Sequence, residues 1–283
     1  WPDTWNNHFH PTTAQAAVEV LEDAGFHVTI PKVQLCCGRP LYDYGMLDLA
    51  KTMLREILTA LRPQIRAGTC VVGLEPSCVS VFRDEMNDLL GSDEDAKRLQ
   101  AQTFLLSEFL VKKAPHYKPP QLHRKAVVHE HCHHKSVLDR AAETKLFDDM
   151  GLQYEAPDTG CCGMAGAFGF EASHYDVSLA VGERVLLPAV REANVETLIV
   201  ADGFSCREQI TQTTSRQALH PAQILKMAID DRDVDRDDAY PELRYMPDPD
   251  RESGRAAKRG LTAIGVAAAI AATVAVVVSL RRR

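Results

Sequence analysis

The sequence lacks the features that would assign it to several common classes. It has no excess of positive charge, because its 283 residues carry a net charge of −7, so no nucleic-acid partner is expected. It contains no G-x-S-x-G or Walker motif, which removes the corresponding hydrolase and nucleotide sites. No secretory signal peptide follows Trp1, and we expect a fragment cut on its N-terminal side.

Cysteine is also scarce, with eight in the whole chain, too few for a disulfide scaffold. The Cys-x₂₋₄-Cys pairs typical of zinc sites are absent. Hydrophobic residues make 45% and charged residues 25%, an ordinary composition for a chain long enough to bury a core. What stands out is the presence of two Cys-Cys-Gly motifs.

The C-terminal part differs in composition from the rest. Residues 230–259 are rich in aspartate and proline and predict a solvated linker. Residues 261–280 carry no charge and are long enough to span a hydrocarbon core of about 30 Å. We therefore expect residues 260–283 to form a single-helix membrane anchor that holds the protein at the cytoplasmic face. A buried or interfacial alanine-rich helix is the alternative.

The remaining sequence is duplicated. The first copy reads L-E-D-A-G-F-H-V-T-I-P, L-C-C-G and V-V-G-L-E-P-S-C, and the second reads F-D-D-M-G-L-Q-Y-E-A-P, G-C-C-G and L-I-V-A-D-G-F-S-C. The landmarks occur in the same order. We predict two tandem modules, residues 1–118 and 119–229.

Each copy alternates helical and strand patterns. Short apolar runs at 71–74, 126–128 and 197–200 are typical of buried parallel strands. Helical patterns separate them near 43–66, 79–89, 135–150 and 172–193, and Pro188 is expected to kink or split the last. The predicted fold class is α/β, in which each module is a small parallel sheet flanked by helices, followed by the C-terminal hydrophobic helix.

In the second copy, four cysteines lie on loops or helix starts that follow strands or contain the Cys-Cys-Gly motif. Loops at the carboxyl ends of parallel strands converge in one crevice, and four thiolates are what an iron–sulfur cluster needs. The predicted metal ligands are Cys132, Cys161, Cys162 and Cys206. Zinc binding and buried structural cysteines remain alternatives.

The first copy contains only three matching cysteines: Cys36, Cys37 and Cys78. The position that matches Cys132 falls near Asp3 or Thr4. These thiols, with an oxygen ligand, are a second possible cluster site. Alternatively, this copy has lost its cluster and kept the fold. Cys70 has no counterpart in the repeat and is expected to be ordinary core.

Side chains near the cysteines are candidates for tuning a cluster. Among the histidines around Cys132, His133 is the best candidate because it directly follows that ligand. Arg39 and Arg207 lie within two residues of a cysteine, and a guanidinium there offsets negative charge. Surface or capping roles are the alternatives. No catalytic residue is predicted.

Several long motifs carry a family resemblance over about residues 1–228. They are W-P-D-T-W-N, L-C-C-G-R-P-L-Y-D-Y-G, L-E-P-S-C-V-S-V-F-R-D-E, H-E-H-C-H-H-K-S, T-G-C-C-G-M-A-G-A-F-G-F-E and A-D-G-F-S-C-R-E-Q-I. The chain resembles the cysteine-rich CCG module found in heterodisulfide reductase and in the iron–sulfur subunits of glycolate oxidase and anaerobic glycerol-3-phosphate dehydrogenase. It is more similar to the C-terminal part of fused FAD-linked D-lactate or D-2-hydroxyacid dehydrogenases.

The family pattern ends each copy with Cys-x-x-Cys, whereas this sequence has Glu75-x-x-Cys78 and Gly203-x-x-Cys206. Heterodisulfide reductase-like proteins use five cysteines per noncubane cluster, so the four thiols of the second copy favour an ordinary [4Fe–4S] cluster. The resemblance implies that FAD and the ferredoxin-type clusters belong to a missing upstream region.

The resemblance also implies a role and its partners. The role is electron transfer from a flavin domain or flavoprotein subunit, through a ferredoxin-type iron–sulfur domain and this module, to a membrane quinone or cytochrome. The fragment alone is not expected to oxidise a hydroxyacid. Two alternatives stay open: a cluster-free or zinc-holding binding module that docks partner subunits, and a thiol or heterodisulfide reductase.

Overall fold

Helices and short parallel strands alternate along the chain, as predicted. The computed structural model describes residues 1–232, 234, 236 and 238–245. The first half contains α1 Thr4–His8, α2 Pro11–Asp23, α3 Arg39–Asp43, α4 Leu47–Arg66, β1 Val71–Gly73, α5 Pro76–Arg83, α6 Glu85–Leu90, α7 Glu94–Gln102, β2 Thr103–Leu105 and α8 Leu106–Lys113. The second half contains β3 Lys125–His129, α9 Cys132–Val137, α10 Ala141–Asp149, β4 Gln153–Glu155, α11 Tyr175–Gly182, α12 Leu186–Glu192, β5 Leu198–Ala201, α13 Phe204–Thr213 and α14 Pro221–Asp230, with short 3₁₀ helices at Phe168–Phe170 and Pro241–Tyr245.

The strands form two small parallel sheets, which confirms the α/β prediction. In the first sheet β1 pairs with β2, with Val71 opposite Thr103. The second sheet has the order β4-β3-β5, and Ala126 lies opposite Leu198 on β5. Because the strands are parallel and short, the segments that follow β1, β3 and β5 lead directly into helices α5, α9 and α13, which carry Cys78, Cys132 and Cys206.

A shared hydrophobic core ties the two halves together. Val20 of α2, Phe109 of α8, Val128 of β3, Val200 of β5 and Leu225 of α14 belong to one buried cluster. Burial of each such side chain contributes on the order of 1.5–3 kcal/mol. Residues from Trp1 to Tyr245 accordingly form one compact unit.

Three of the four predicted helical patterns are interrupted. The pattern at 79–89 is divided between α5 and α6 at Asp84, and the pattern at 135–150 is divided between α9 and α10. The pattern at 43–66 forms one helix, α4, which begins at Leu47 after the short helix α3 and Gly45, whose φ is +68°. The pattern at 172–193 is split between α11 and α12, but not at Pro188, which lies in the first turn of α12, where proline is tolerated. Helix α11 ends at Gly182. The backbone carbonyl of Cys162 packs closely against this glycine, and a Cβ built on Gly182 would lie 2.9 Å from the carbonyl oxygen.

The predicted location at the membrane is corrected by the structure. No helix among residues 1–232, 234, 236 and 238–245 is long and apolar enough to cross a bilayer. The 20-residue helix α4 is long enough, but it is amphipathic and carries Asp48, Lys51, Arg55, Glu56, Arg62 and Arg66. The segment 260–283, predicted to be the anchor, lies outside the described residues, so the C-terminal anchor is not supported.

Candidate metal centre

The second repeat brings three of its four cysteines, Cys161, Cys162 and Cys206, into contact. Cys132 begins α9 directly after β3, and Cys206 lies in the first turn of α13 after β5. The Cys162 and Cys206 sulfurs lie within 4.8 Å of each other. The backbone N–H of Gly163 donates to the Cys161 sulfur at 3.3 Å. The contact of Cys161, Cys162 and Cys206 is therefore present in the fold, and the convergence of Cys132 with them stays a prediction.

The first repeat forms a smaller thiol set in the same way. The Cys37 and Cys78 sulfurs are 3.0 Å apart, and both side chains are buried. The Thr4 hydroxyl lies 3.9 Å from the Cys36 sulfur. Cys70 is apart from this set and packs against the hydrophobic core, as expected.

The positions of these residues within their helices repeat. Thr4 is the first residue of α1, and Cys132 is the first residue of α9. Cys78 is the third residue of α5, and Cys206 is the third residue of α13. Thr4 is thus the structural counterpart of Cys132, and the first repeat holds three thiols where the second holds four.

A cavity of about 600 Å³ opens beside the first thiol set and Cys132. Its wall includes Cys36, Cys37 and Cys78 from the first repeat and Cys132 from the second. Aromatic and apolar groups complete much of the wall, among them Trp1, Trp5, Ala165, Ala167, Phe170 and Phe204. A concave, mostly apolar site with a few polar groups is the usual form of a ligand pocket.

The packed thiols are held in their neutral form. The hydrogen bond with Cys162 raises the pKa of the Cys161 thiol, and burial adds to this effect. The hydrogen bond with Cys37 raises the pKa of Cys36 in the same manner. Sulfurs packed this closely repel one another as thiolates, so a bound cation is needed to displace their protons. The donor set therefore fits a metal or an iron–sulfur cluster.

The four histidines around Cys132 have different environments. His133, the candidate chosen from the sequence, lines the cavity, and its Nδ1 is 4.0 Å from the Cys132 sulfur. His129 is buried, and its Nε2 is 3.2 Å from the Cys206 sulfur. Burial lowers the pKa of His129 to about 4, so its imidazole is neutral at pH 7.

His134 makes a buried ion pair. Its Nδ1 lies 2.8 Å from Asp202 Oδ2. Burial opposes the charge on His134, but the hydrogen bond to Asp202 prevails and raises its pKa to about 9. The other Asp202 oxygen accepts from the His131 backbone N–H at 3.3 Å. Asp202 therefore fixes the start of α9, where Cys132 lies.

The two arginines singled out from the sequence are both engaged by other side chains. Arg39 lines the cavity and pairs with Glu85, and it lies 3.7 Å from Asp43. Arg207 is buried and donates to Asn6 Oδ1 at 2.6 Å and to Thr13 Oγ1 at 2.9 Å. It joins the α13 helix to the first repeat.

Glu75 links the two thiol-bearing helices. One of its oxygens accepts from the Ser77 hydroxyl at 2.8 Å at the start of α5, and the other accepts from the Phe204 N–H at 2.8 Å at the start of α13. Burial, together with Asp3, raises the pKa of this carboxyl to about 7. Glu75 is a cap for both helices, because both of its oxygens are occupied by these donors.

Sequence reasoning did not single out His129 above its neighbours, nor did it find Thr159 or the double role of Glu75. His129 Nδ1 is 2.6 Å from Thr159 Oγ1, a contact between residues 30 positions apart. The one feature of the sequence that could have singled out His129 is strand alternation. His129 is the last residue of β3, and because alternate side chains of a strand share a face, His129 and its neighbour Glu130 point to opposite faces.

A family model described as the cysteine-rich domain, CCG, matches residues 4–83 and again residues 126–211. The chain belongs to the CCG cysteine-rich family. The double match agrees with the repeat read from the sequence and with the equivalent positions of the cysteines.

Curated relatives extend the comparison. The chain is 28% identical to a subunit of the anaerobic glycerol-3-phosphate dehydrogenase of Escherichia coli over 79% of its length, and it spans 57% of that relative. It is 32% identical to lactate utilization protein A of Bacillus subtilis over 69% of its length and 82% of the relative's. It is 28% identical to D-2-hydroxyglutarate dehydrogenase of Pseudomonas putida, covering 79% of this chain and 21% of that protein. These names agree with a role in an oxidoreductase.

Proposed function

We propose that this CCG protein is the iron–sulfur electron-transfer portion of an FAD-linked D-2-hydroxyacid dehydrogenase of the D-lactate type. The observation that carries the proposal is the arrangement of seven cysteines in two sets, four of which, Cys36, Cys37, Cys78 and Cys132, line one cavity. A cluster site needs several thiolates held close together in a low-dielectric surrounding. The fold supplies both sets from loops and helix starts at the ends of parallel strands.

The second set is the proposed primary site. Cys132, Cys161, Cys162 and Cys206 would hold a [4Fe–4S] cluster, which when bound supplies one-electron transfer. The Gly163 N–H already donates to the Cys161 sulfur, a contact that stabilises negative charge on a thiolate. Cys36, Cys37 and Cys78 form the second possible site.

The partners follow from the relatives. The proposed donor is a flavin domain or flavoprotein subunit, with FAD outside this chain and with a ferredoxin-type domain between them. Support comes from the names of the relatives, which include a dehydrogenase subunit and a longer dehydrogenase of which this chain spans 21%. The proposed final acceptor is a quinone or a cytochrome, and the aromatic lining of the cavity favours the quinone.

One observation favours a second candidate, a zinc-holding binding module. The ligand atoms of His129, Cys162 and Cys206 lie within 4.8 Å of one another. In a tetrahedral zinc site with Zn–S bonds of about 2.3 Å, two sulfurs lie about 3.8 Å apart. The spacing therefore also suits a single ion, and metal analysis separates the two candidates.

The test is the content of iron and acid-labile sulfide per chain after anaerobic reconstitution. The proposal expects about four irons per filled set and loss of the second-set iron in Cys161→Ser. Cys70→Ser is the matched control, because Cys70 lies outside both sets, and it should keep the full content. Zinc without sulfide would establish the binding module instead, and no metal at all would refute both candidates.

A further inference from the structure

His129 lies closer to the second thiol set than any other histidine whose ring contacts the structure records. It is the last residue of β3, and its side chain is only 2% exposed. Its Nε2 is 3.2 Å from the Cys206 sulfur and within 4.8 Å of the Cys162 sulfur. The ring therefore presents a nitrogen to the two sulfurs of the set that are most deeply buried.

The spacing is that of two ligands on one metal atom. With metal–sulfur and metal–nitrogen bonds of about 2.3 and 2.0 Å, a sulfur and a nitrogen on the same atom lie about 3.0–3.5 Å apart for angles from 90° to tetrahedral. The observed 3.2 Å between His129 Nε2 and Cys206 Sγ falls in this range. A metal bound by Cys206 is thus within reach of the imidazole without any rotation of the ring.

The other ring nitrogen is held in place. His129 Nδ1 lies 2.6 Å from Thr159 Oγ1, and Thr159 is itself buried. Histidines that bind metals almost always engage the second nitrogen in such a contact, which fixes the orientation of the ring. Thr159 also stands two residues before Cys161, so this contact joins the strand that carries His129 to the loop that carries two thiols.

We propose that His129 Nε2 is a nitrogen ligand of the iron site formed by the second thiol set, beside Cys206. This inference rests on the proposed function, since it assumes that the set binds iron. A thiol at Gly203 could not take this place, because a Cβ there would lie 2.2 Å from His131 Cδ2. The second repeat would then supply five donors, one more than the four that an ordinary [4Fe–4S] cluster takes, and one iron would carry both Cys206 and His129.

A histidine ligand changes the charge of the site. A neutral imidazole adds no negative charge, whereas an added thiolate does. Replacement of thiolates by histidines raises the potential of an iron–sulfur centre. We therefore expect His129→Cys to lower the midpoint potential of the second site.

The experiment uses the full chain labelled with ¹⁵N-histidine, reconstituted anaerobically with iron and sulfide and then reduced. Pulsed EPR of the wild-type protein should show a strong ¹⁵N coupling from a coordinated nitrogen. The coupling should be lost in His129→Gln and kept in His133→Gln, the matched control at the cavity wall. If His129→Gln fails to assemble, absence of the coupling from the wild-type spectrum still overturns the ligand role, and loss of the coupling in His133→Gln assigns it to His133 instead and overturns the role as well.

The outcomes separate this inference from the proposed function. Iron and sulfide in normal amount with no coupling, or with only the weak coupling of a hydrogen-bonded nitrogen, would overturn the ligand role and leave the electron-transfer proposal intact. If the reduced centre is EPR-silent, an unchanged midpoint potential in His129→Cys overturns the ligand role. Absence of iron from wild-type protein would overturn the proposed function itself, and the ligand role with it.

Discussion

The glycine that follows the second Cys-Cys pair should be far less replaceable than the glycine that precedes it. Gly163 has a φ of +98°, and a Cβ built on it would lie 2.0 Å from the Ser178 carbonyl oxygen of α11. Gly160 has a φ of +62°, and no atom would lie within 4 Å of its Cβ. The two substitutions Gly163→Ala and Gly160→Ala therefore share backbone strain, and only the first adds a steric clash.

The magnitudes follow from these contacts. Alanine in a left-handed conformation costs about 1–2 kcal/mol of folding free energy, which is all that we expect for Gly160→Ala. For Gly163→Ala, overpacking adds about 1–3 kcal/mol. Displacing the Ser178 carbonyl also weakens the hydrogen bond that it accepts from Gln209 at 3.1 Å, worth about 1 kcal/mol. The expected total for Gly163→Ala is about 3–6 kcal/mol.

The assay is thermal or urea unfolding of both variants beside wild type, with iron content measured on the same samples. For a domain of this size, each kcal/mol lowers Tm by about 2–4 °C. Gly163→Ala should also impair iron binding, because Gly163 follows Cys162 and its N–H donates to Cys161. Equal losses of stability in the two variants would show that the close approach of α11 does not constrain this loop.

The remaining predictions concern buried polar groups. Glu242→Gln should lower the free energy of unfolding by about 3–5 kcal/mol, because it breaks the buried ion pair with Arg216 at 2.6 Å. Glu183→Gln, which breaks an exposed ion pair, should lower it by less than about 1 kcal/mol. Similar losses of stability for the two variants in urea unfolding would contradict this. Burial lowers the pKa of His220 to about 3, so the unfolded chain takes up this proton first and stability is lost as the pH falls below about 6.5. The advantage of wild type over His220→Asn should therefore shrink by about 2 kcal/mol from pH 7 to pH 5, and a constant difference would refute the assignment. Asp3→Ala should cost about 1 kcal/mol through loss of the α1 cap, measured as a fall in Tm, and an unchanged Tm would count against the cap.

The sequence was sufficient for the parts of the fold that depend on local pattern. Apolar runs placed β1, β3 and β5 within one or two residues, and the order of the landmarks revealed the repeat. The expected split of the pattern at 172–193 is present, but it falls at residues 183–185, a few residues before Pro188. Pro188 has no N–H to donate to the carbonyl of residue 184 and its ring would clash with that carbonyl, so a helix continuous through this point is disfavoured.

The candidate site was likewise predictable from the sequence only in part. The contact of Cys161, Cys162 and Cys206 agrees with what parallel-strand topology predicts from the sequence, and the convergence of Cys132 with them stays a prediction. The choice among neighbouring histidines depends on where each ring points, and the contact of His129 with Thr159 settles that only in the folded chain. The link from Glu75 to Phe204 spans 129 positions and has no local signature.

The two repeats differ in the donor residues that they keep. In the first, Thr4 stands at the position of Cys132, and Glu75 stands where the family has a further thiol. Both oxygens of Glu75 accept hydrogen bonds from helix starts, which favours a capping role for this carboxylate over metal binding. The first repeat thus keeps three sulfur donors, and Glu75 instead secures the helix that carries Cys206. The second repeat, with four thiols and His129, should retain its iron longer than the first when a chelator is added.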